Sequence, residues 1–106
     1  MNKNFNFLVR NHLESKIFYF QKINSLLDYS NKKNKAILVD FLDPDYYLLF
    51  PHIELVISRK GSMLSHLSVL AREQKISILQ YNWPSKIPDR GEVEVDVENT
   101  KLIFLQ

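Results

Sequence analysis

Gly61, Ser65, His66 and Arg72 fall in one run, Arg59-Lys60-Gly61-Ser62-Met63-Leu64-Ser65-His66-Leu67-Ser68-Val69-Leu70-Ala71-Arg72-Glu73. The apolar Leu55-Val56-Ile57 before it and the spacing of Leu67, Leu70 and Ala71 within it predict the end of a strand, a glycine turn and a helix opening at Ser65. A histidine in the first turn of a helix lies beside backbone N–H groups that lack intrahelical partners and beside the positive end of the dipole, a setting that favours phosphate or another anion. To accept a phosphoryl group an imidazole nitrogen must be unprotonated, which the ordinary titration range of histidine allows at neutral pH. Once formed, the charged adduct gains typically ~0.3–1 kcal/mol from the dipole. Ser65 is the second donor, either capping the helix or contacting the phosphoryl oxygens. Arg72 reads as a docking or phosphate contact, or as an ordinary ion-paired helix end.

Other chemistries find less support. His12 and His52 have no partners at metal-ligand or triad spacing and read as surface or packed histidines. An independent hydrolase with His66 as base lacks a nucleophile or carboxylate at suitable spacing. With Cys 0 there is no thiolate metal site, disulfide framework or cysteine nucleophile, consistent with a reducing, cytoplasmic setting. Only Gly61 and Gly91 are glycines, so no glycine-rich phosphate loop can be built and any nucleotide must be bound by another domain. A net charge of +2 without a basic aromatic stripe gives no sign of nucleic-acid binding, and the longest apolar run, Tyr46 to Phe50, is far short of the ~20 residues a bilayer span needs.

The elements that must position the site can be read in order. Phe5, Phe7 and Val9 alternate as a short strand, or belong to a leader or linker covering residues 1–16. From Asn11 to Tyr29 two readings compete: one long helix through Leu13, Ile17, Phe20, Ile23 and Leu27, or a strand at Ile17-Phe18-Tyr19-Phe20 followed by a short helix from Ile23 to Tyr29. Ser30 to Lys35 is a polar loop, and Ala36 to Phe41 a strand buried on both faces. Asp43 caps a helix begun by Pro44, with Tyr46, Tyr47, Leu49 and Phe50 facing the core. Leu64, Leu67, Val69, Leu70 and Ala71 pack the later helix, leaving Ser65, Ser68 and Arg72 on its polar face. Ile76 to Leu79 is a further strand, and Val93 and Val95 mark a half-exposed strand in a hairpin with Leu102 to Leu105. The chain has room for one domain with one core.

The pattern Gly61-x-x-x-Ser65-His66-x-x-Val69-x-Ala71-Arg72-Glu73 resembles the phosphohistidine signature of the mobile, or swivelling, domain of phosphoenolpyruvate-utilising enzymes such as pyruvate phosphate dikinase, phosphoenolpyruvate synthase and rifampin phosphotransferase. Ala36-Ile37-Leu38-Val39, Asp43-Pro44-Asp45 and Gly91-Glu92-Val93-Glu94-Val95-Asp96 extend the resemblance over about the last two thirds of the chain. The resemblance favours strand then short helix between Asn11 and Tyr29, and makes the Ile76 to Leu79 strand parallel to its predecessors. It implies an α/β fold: a swivelling β/β/α three-layer domain with a mainly parallel central sheet and a small antiparallel sheet, spanning residues 1–106.

It further implies a phosphoryl carrier, phosphorylated on His66 with support from Ser65 and Gly61, that is part of a multidomain phosphotransferase and not a complete enzyme alone. ATP and Mg would be bound by an ATP-grasp partner domain, or phosphoenolpyruvate by a barrel, and the acceptor by another domain, in the same chain or in trans. Ending on the Leu102 to Leu105 strand suits a C-terminal position in such an enzyme. The alternative is a docking module that keeps the fold without phosphotransfer. Four positions depart from the family pattern: Lys60 replaces a glycine, Leu64 a small residue, Asp43 a threonine and Ser77 a proline, which marks a divergent member.

Overall fold

The computed structural model describes residues 4–105 and consists mainly of strands. In chain order they are β1 (Asn6–Val9), β2 (Lys16–Lys22), β3 (Ala36–Val39), β4 (Leu55–Ser58), β5 (Ser77–Gln80), β6 (Arg90–Asp96) and β7 (Lys101–Leu105), with one α-helix, α1 (His66–Gln74), between β4 and β5. All seven join one sheet in the order β1-β5-β4-β3-β2-β6-β7. Pairing is parallel from β2 through β3 and β4 to β5, and antiparallel for β1 with β5, β2 with β6 and β6 with β7.

This corrects the expected three-layer α/β domain. Among the described residues there is no mainly parallel central sheet with a separate small antiparallel one; the hairpin β6–β7 continues the main sheet through the register Phe18 to Val93. Helical content is also lower than expected. The segment read as a helix from Ile23 to Tyr29 forms only a 3₁₀ turn at Leu26–Asp28, and the Pro44 helix is 3₁₀ throughout, Pro44–Leu49. Asp43 does cap it, accepting from the Asp45 N–H at 2.9 Å, but Tyr47 faces solvent while Tyr46, Leu49 and Phe50 are buried.

Two cores form because every residue of β3 and β4 is buried, and side chains of a strand alternate between faces. Ala36, Leu38, Leu55 and Ile57 enter a concave core with Phe18, Phe20, Trp83, Ile87, Val93 and Val95. Ile37, Val39, Val56 and Ile78 enter a convex core covered by Tyr46, Leu49, Leu67 and Ala71. Each fully buried Leu, Ile or Val contributes about 1.5–3 kcal/mol relative to exposure. Val93 and Val95 are fully buried while Glu94 between them is exposed, the half-exposed strand that their alternation predicts. Among the described residues no helix is long and apolar enough to cross a membrane.

The curl brings the chain's beginning to its last strand. The N–H groups of Asn4 and Phe5 donate to the Thr100 carbonyl, and the Asn4 side chain clamps Leu102, accepting from its N–H at 2.8 Å and donating to its carbonyl at 3.3 Å. One amide thereby replaces a strand partner at the open edge of β7, where free backbone groups invite unwanted pairing. Asn4→Ala is expected to destabilise the fold by roughly 1–3 kcal/mol, the cost of stranding partly buried backbone groups, as read by urea denaturation.

The β6–β7 turn carries a pH dependence. The Asp96 side chain accepts from the Asn99 side chain at 2.8 Å and from its N–H at 3.1 Å, which holds the carboxyl below its usual range. A depressed folded-state pKa stabilises at pH above the ordinary carboxylate range, and that contribution disappears as pH falls through the depressed value. Asn99→Ala should move the Asp96 titration upward toward that of a free carboxylate, measured by NMR on the carboxyl carbon.

Candidate functional site

β4 delivers the chain to the carboxyl edge of the four parallel strands β2 to β5, and the Arg59–Leu64 segment carries it across to α1. Arg59 is pinned at the outset. Its guanidinium carbon lies 3.6 Å from the Trp83 ring centroid, Nε donates to the Trp83 carbonyl at 3.2 Å, and Nη1 meets the Asp40 carboxylate at 3.1 Å. Trp83 is itself anchored by Nε1 donating to the Val39 carbonyl at 3.3 Å, and Gln80 donates to the Arg59 carbonyl at 2.8 Å.

Gly61 follows, and its role is space. It has no positive φ; instead a Cβ there would lie 2.5 Å from Leu42 Cδ1 and 3.1 Å from Leu8 Cδ1. Its contacts are apolar, so the support expected of it reaches the histidine only through the path of the turn. Gly61→Ala should cost about 1–3 kcal/mol by overpacking, seen as a lowered thermal midpoint, unless Leu42 swings aside.

Three serines at intervals of three lock the start of α1. The Ser65 side chain accepts from the Ser68 N–H at 3.1 Å and donates to Ser68 Oγ at 2.9 Å, and Ser68 Oγ donates to the Ser62 carbonyl at 2.8 Å. Of the two roles open to Ser65, the geometry therefore gives it the cap. Ser68, expected on the polar face, is fully buried, and Leu64, expected in the core, is 84% exposed. Sequence reasoning missed Ser68, although the Ser62, Ser65, Ser68 spacing was a usable signal.

His66 is the first residue of α1 and is exposed. Val69 N–H donates to the Ser65 carbonyl, whereas the N–H groups of His66 and Leu67 have no acceptor among the described residues. An exposed imidazole thus stands at a helix start where its own residue's N–H lacks an acceptor, while the Leu67 N–H belongs to a fully buried residue. Arg72, pointing back toward the helix N-terminus as long helical side chains do, donates from Nη2 to the Met63 carbonyl at 2.6 Å and braces the segment just before the histidine. At the other end of α1, Lys75 adopts a left-handed conformation, and Asn11 Nδ2 donates to the Ala71 and Ile76 carbonyls.

A cleft of about 590 Å³ opens beside this turn, lined in part by Phe7, Leu8, Lys60, Gly61, Met63 and Gln80; His66 is not among its lining residues. His12 is exposed in a positive-φ turn, and His52 stacks on Tyr29 with centroids 6.4 Å apart. Among the described residues no group of His, Cys, Asp and Glu is arranged to hold a metal ion. No protein-family profile and no curated protein matches the chain.

Proposed function

We propose that the chain is a phosphoryl-carrier domain in which His66 is transiently phosphorylated. The observation that carries this reading is the exposed imidazole of His66, whose own N–H has no acceptor, on a helix start fixed by the Ser65–Ser68 hydrogen bonds. An unprotonated imidazole nitrogen attacks the terminal phosphorus of ATP or the phosphorus of phosphoenolpyruvate. The P–O bond to the leaving group breaks, a P–N bond forms, and the reverse exchange passes the group to an acceptor. The His66 N–H supplies a donor and the helix dipole a favourable field for the new dianion, while the cap leaves the ring free to present it.

ATP and Mg belong, on this reading, to an ATP-grasp partner domain and the acceptor to another, in a reducing, cytoplasmic compartment. The chain is then one component of a phosphotransferase. The test is incubation with such a partner and γ-labelled ATP. Acid-labile, base-stable label on the wild type that is absent from His66→Ala supports the proposal, and label that persists in His66→Ala ends it.

One observation favours a second reading, a docking module without phosphotransfer: Phe41, Met63 and Leu64 are exposed apolar residues close to the same turn. A partner that binds the wild type yet never labels it would establish this alternative.

A further inference from the structure

A second hollow, of about 430 Å³, opens where β2 and β6 meet the turn at residues 31–34. Its volume lies in the range of small-molecule sites. His66 is elsewhere, because α1 packs against β1 and β5 on the other side of the sheet. One wall of the hollow is a buried amide with a spare acceptor. Asn34 is only 5% exposed, its main-chain carbonyl accepts from the Tyr29 hydroxyl at 2.8 Å, and its Nδ2 donates to Gln21 Oε1 at 3.4 Å. Gln21 is buried too, and it is held by the Ser30 N–H, which donates to the same oxygen at 3.2 Å, and by its own Nε2, which donates to the Asp28 carbonyl. This chain of donors fixes the Asn34 amide and leaves its Oδ1 without a donor among the described residues. No side-chain oxygen or nitrogen among them is both enclosed and unpaired, so Oδ1 opens on the hollow that Asn34 lines. A largely desolvated carbonyl oxygen calls for a donor.

Three charged side chains share the hollow: Lys33, Arg90 and Glu92. The Lys33 ammonium lies 4.9 Å from the Tyr19 ring centroid, and the Arg90 guanidinium donates to Ser30 Oγ, contacts that position both cations without neutralising either. Among the described residues none of the three enters an ion pair. Asp28 and Asp89, which share an adjoining cleft with Arg90, are engaged elsewhere: Asp89 pairs with Lys22 at 3.5 Å, and Asp28 accepts from the N–H groups of Asn24 and Ser25 at 2.8 and 3.0 Å. Two cations, one carboxylate and a bare carbonyl oxygen define their complement, a small molecule with two anionic groups and one ammonium. A lone phosphate would meet the Glu92 charge, and a nucleobase would compete with Lys33 for the Tyr19 ring.

We propose that this hollow binds a free acidic α-amino acid, glutamate or aspartate, with its two carboxylates on Arg90 and Lys33 and its ammonium on Glu92 and Asn34 Oδ1. Arg90 can take a carboxylate through two parallel N–H bonds. Titration of the full chain with L-glutamate and L-aspartate, followed by NMR of the side-chain amides and by calorimetry, tests it. Saturable shifts of the Asn34 and Gln21 amides are expected. Glutarate, which lacks the ammonium, and glutamine, which lacks the second carboxylate, should each bind roughly tenfold more weakly. Arg90→Gln and Lys33→Gln, both at exposed positions, should each weaken glutamate binding about tenfold, with circular dichroism melts to confirm folding. Glu92→Gln separates recognition from structure: it should weaken glutamate yet strengthen glutarate, a reversal of preference that a merely structural role would not produce. No saturable shift at millimolar glutamate, wild-type protein that binds glutarate as well as glutamate, or Arg90→Gln protein that binds unchanged would overturn the proposal, and none of these results bears on labelling at His66.

Discussion

Trp83→Ala is expected to cost about 3–5 kcal/mol, the range for emptying a buried aromatic site. Three effects combine there. The indole is buried in the core that also holds Leu38, Ile57 and Val93, so its removal leaves a cavity there. Its Nε1–H bond to the Val39 carbonyl is lost at the point where β3 ends. Arg59, which lies on the ring, loses its platform and keeps only the exposed Asp40 partner and a main-chain carbonyl of the altered loop. Such an exposed pair is worth about 0–1 kcal/mol, too little to hold the segment that leads to His66. Trp83→Phe separates the terms: it keeps an aromatic face, loses the indole donor and should cost roughly 1–3 kcal/mol. Urea denaturation followed by far-ultraviolet circular dichroism measures both variants, since the sole tryptophan is the residue removed. A Trp83→Ala protein as stable as the wild type would mean that the indole does not hold this core together.

The second large effect concerns chemistry. If His66 carries phosphate, His66→Ala should abolish labelling, a loss beyond ~10³-fold because no neighbouring side chain can replace a covalent nucleophile. Ser65→Ala is the informative comparison. Its hydroxyl is committed to Ser68, so its loss should cost about 1 kcal/mol of helix-start stability and reduce labelling only modestly. A Ser65→Ala variant that folds as well as the wild type but loses labelling as completely as His66→Ala would show that the serine contacts the reacting group. The cap assignment would then be wrong. Arg72→Ala lies between these cases: it releases the Met63 carbonyl and loosens the approach to the histidine without removing a reacting atom.

Residues 11 to 29 show how local pattern and tertiary demand part company. Leu13, Ile17, Phe20, Ile23 and Leu27 recur at helical spacing, yet Ile17 and Leu27 are exposed while Phe18, outside that pattern, is buried. Period two won because Phe18 and Phe20 fit the concave core opposite Val93 and Gly91, a benefit invisible until β6 is in place. Leu64 and Ser68 exchanged their expected environments for a related reason. Hydrogen bonds among Ser62, Ser65 and Ser68 satisfy the polar groups internally, which allows a serine to be buried at the helix start and turns Leu64 outward.

What the amino-acid order determined by itself is local: the doubly buried apolar runs at β3 and β4, the Asp43-Pro44 start, the placement of Ser65 and His66 at the opening of α1, and the β6–β7 hairpin. Each follows from neighbours a few residues apart, through spacing, capping or turn chemistry. Only the tertiary structure decided that all seven strands share one sheet, that β1 closes against β5, that Asn4 seals Leu102, and that Trp83 and Arg59 hold the turn before the histidine. Those choices depend on contacts between residues distant in the chain, whose free energy comes from burying whole faces together and is not written in any short window of residues.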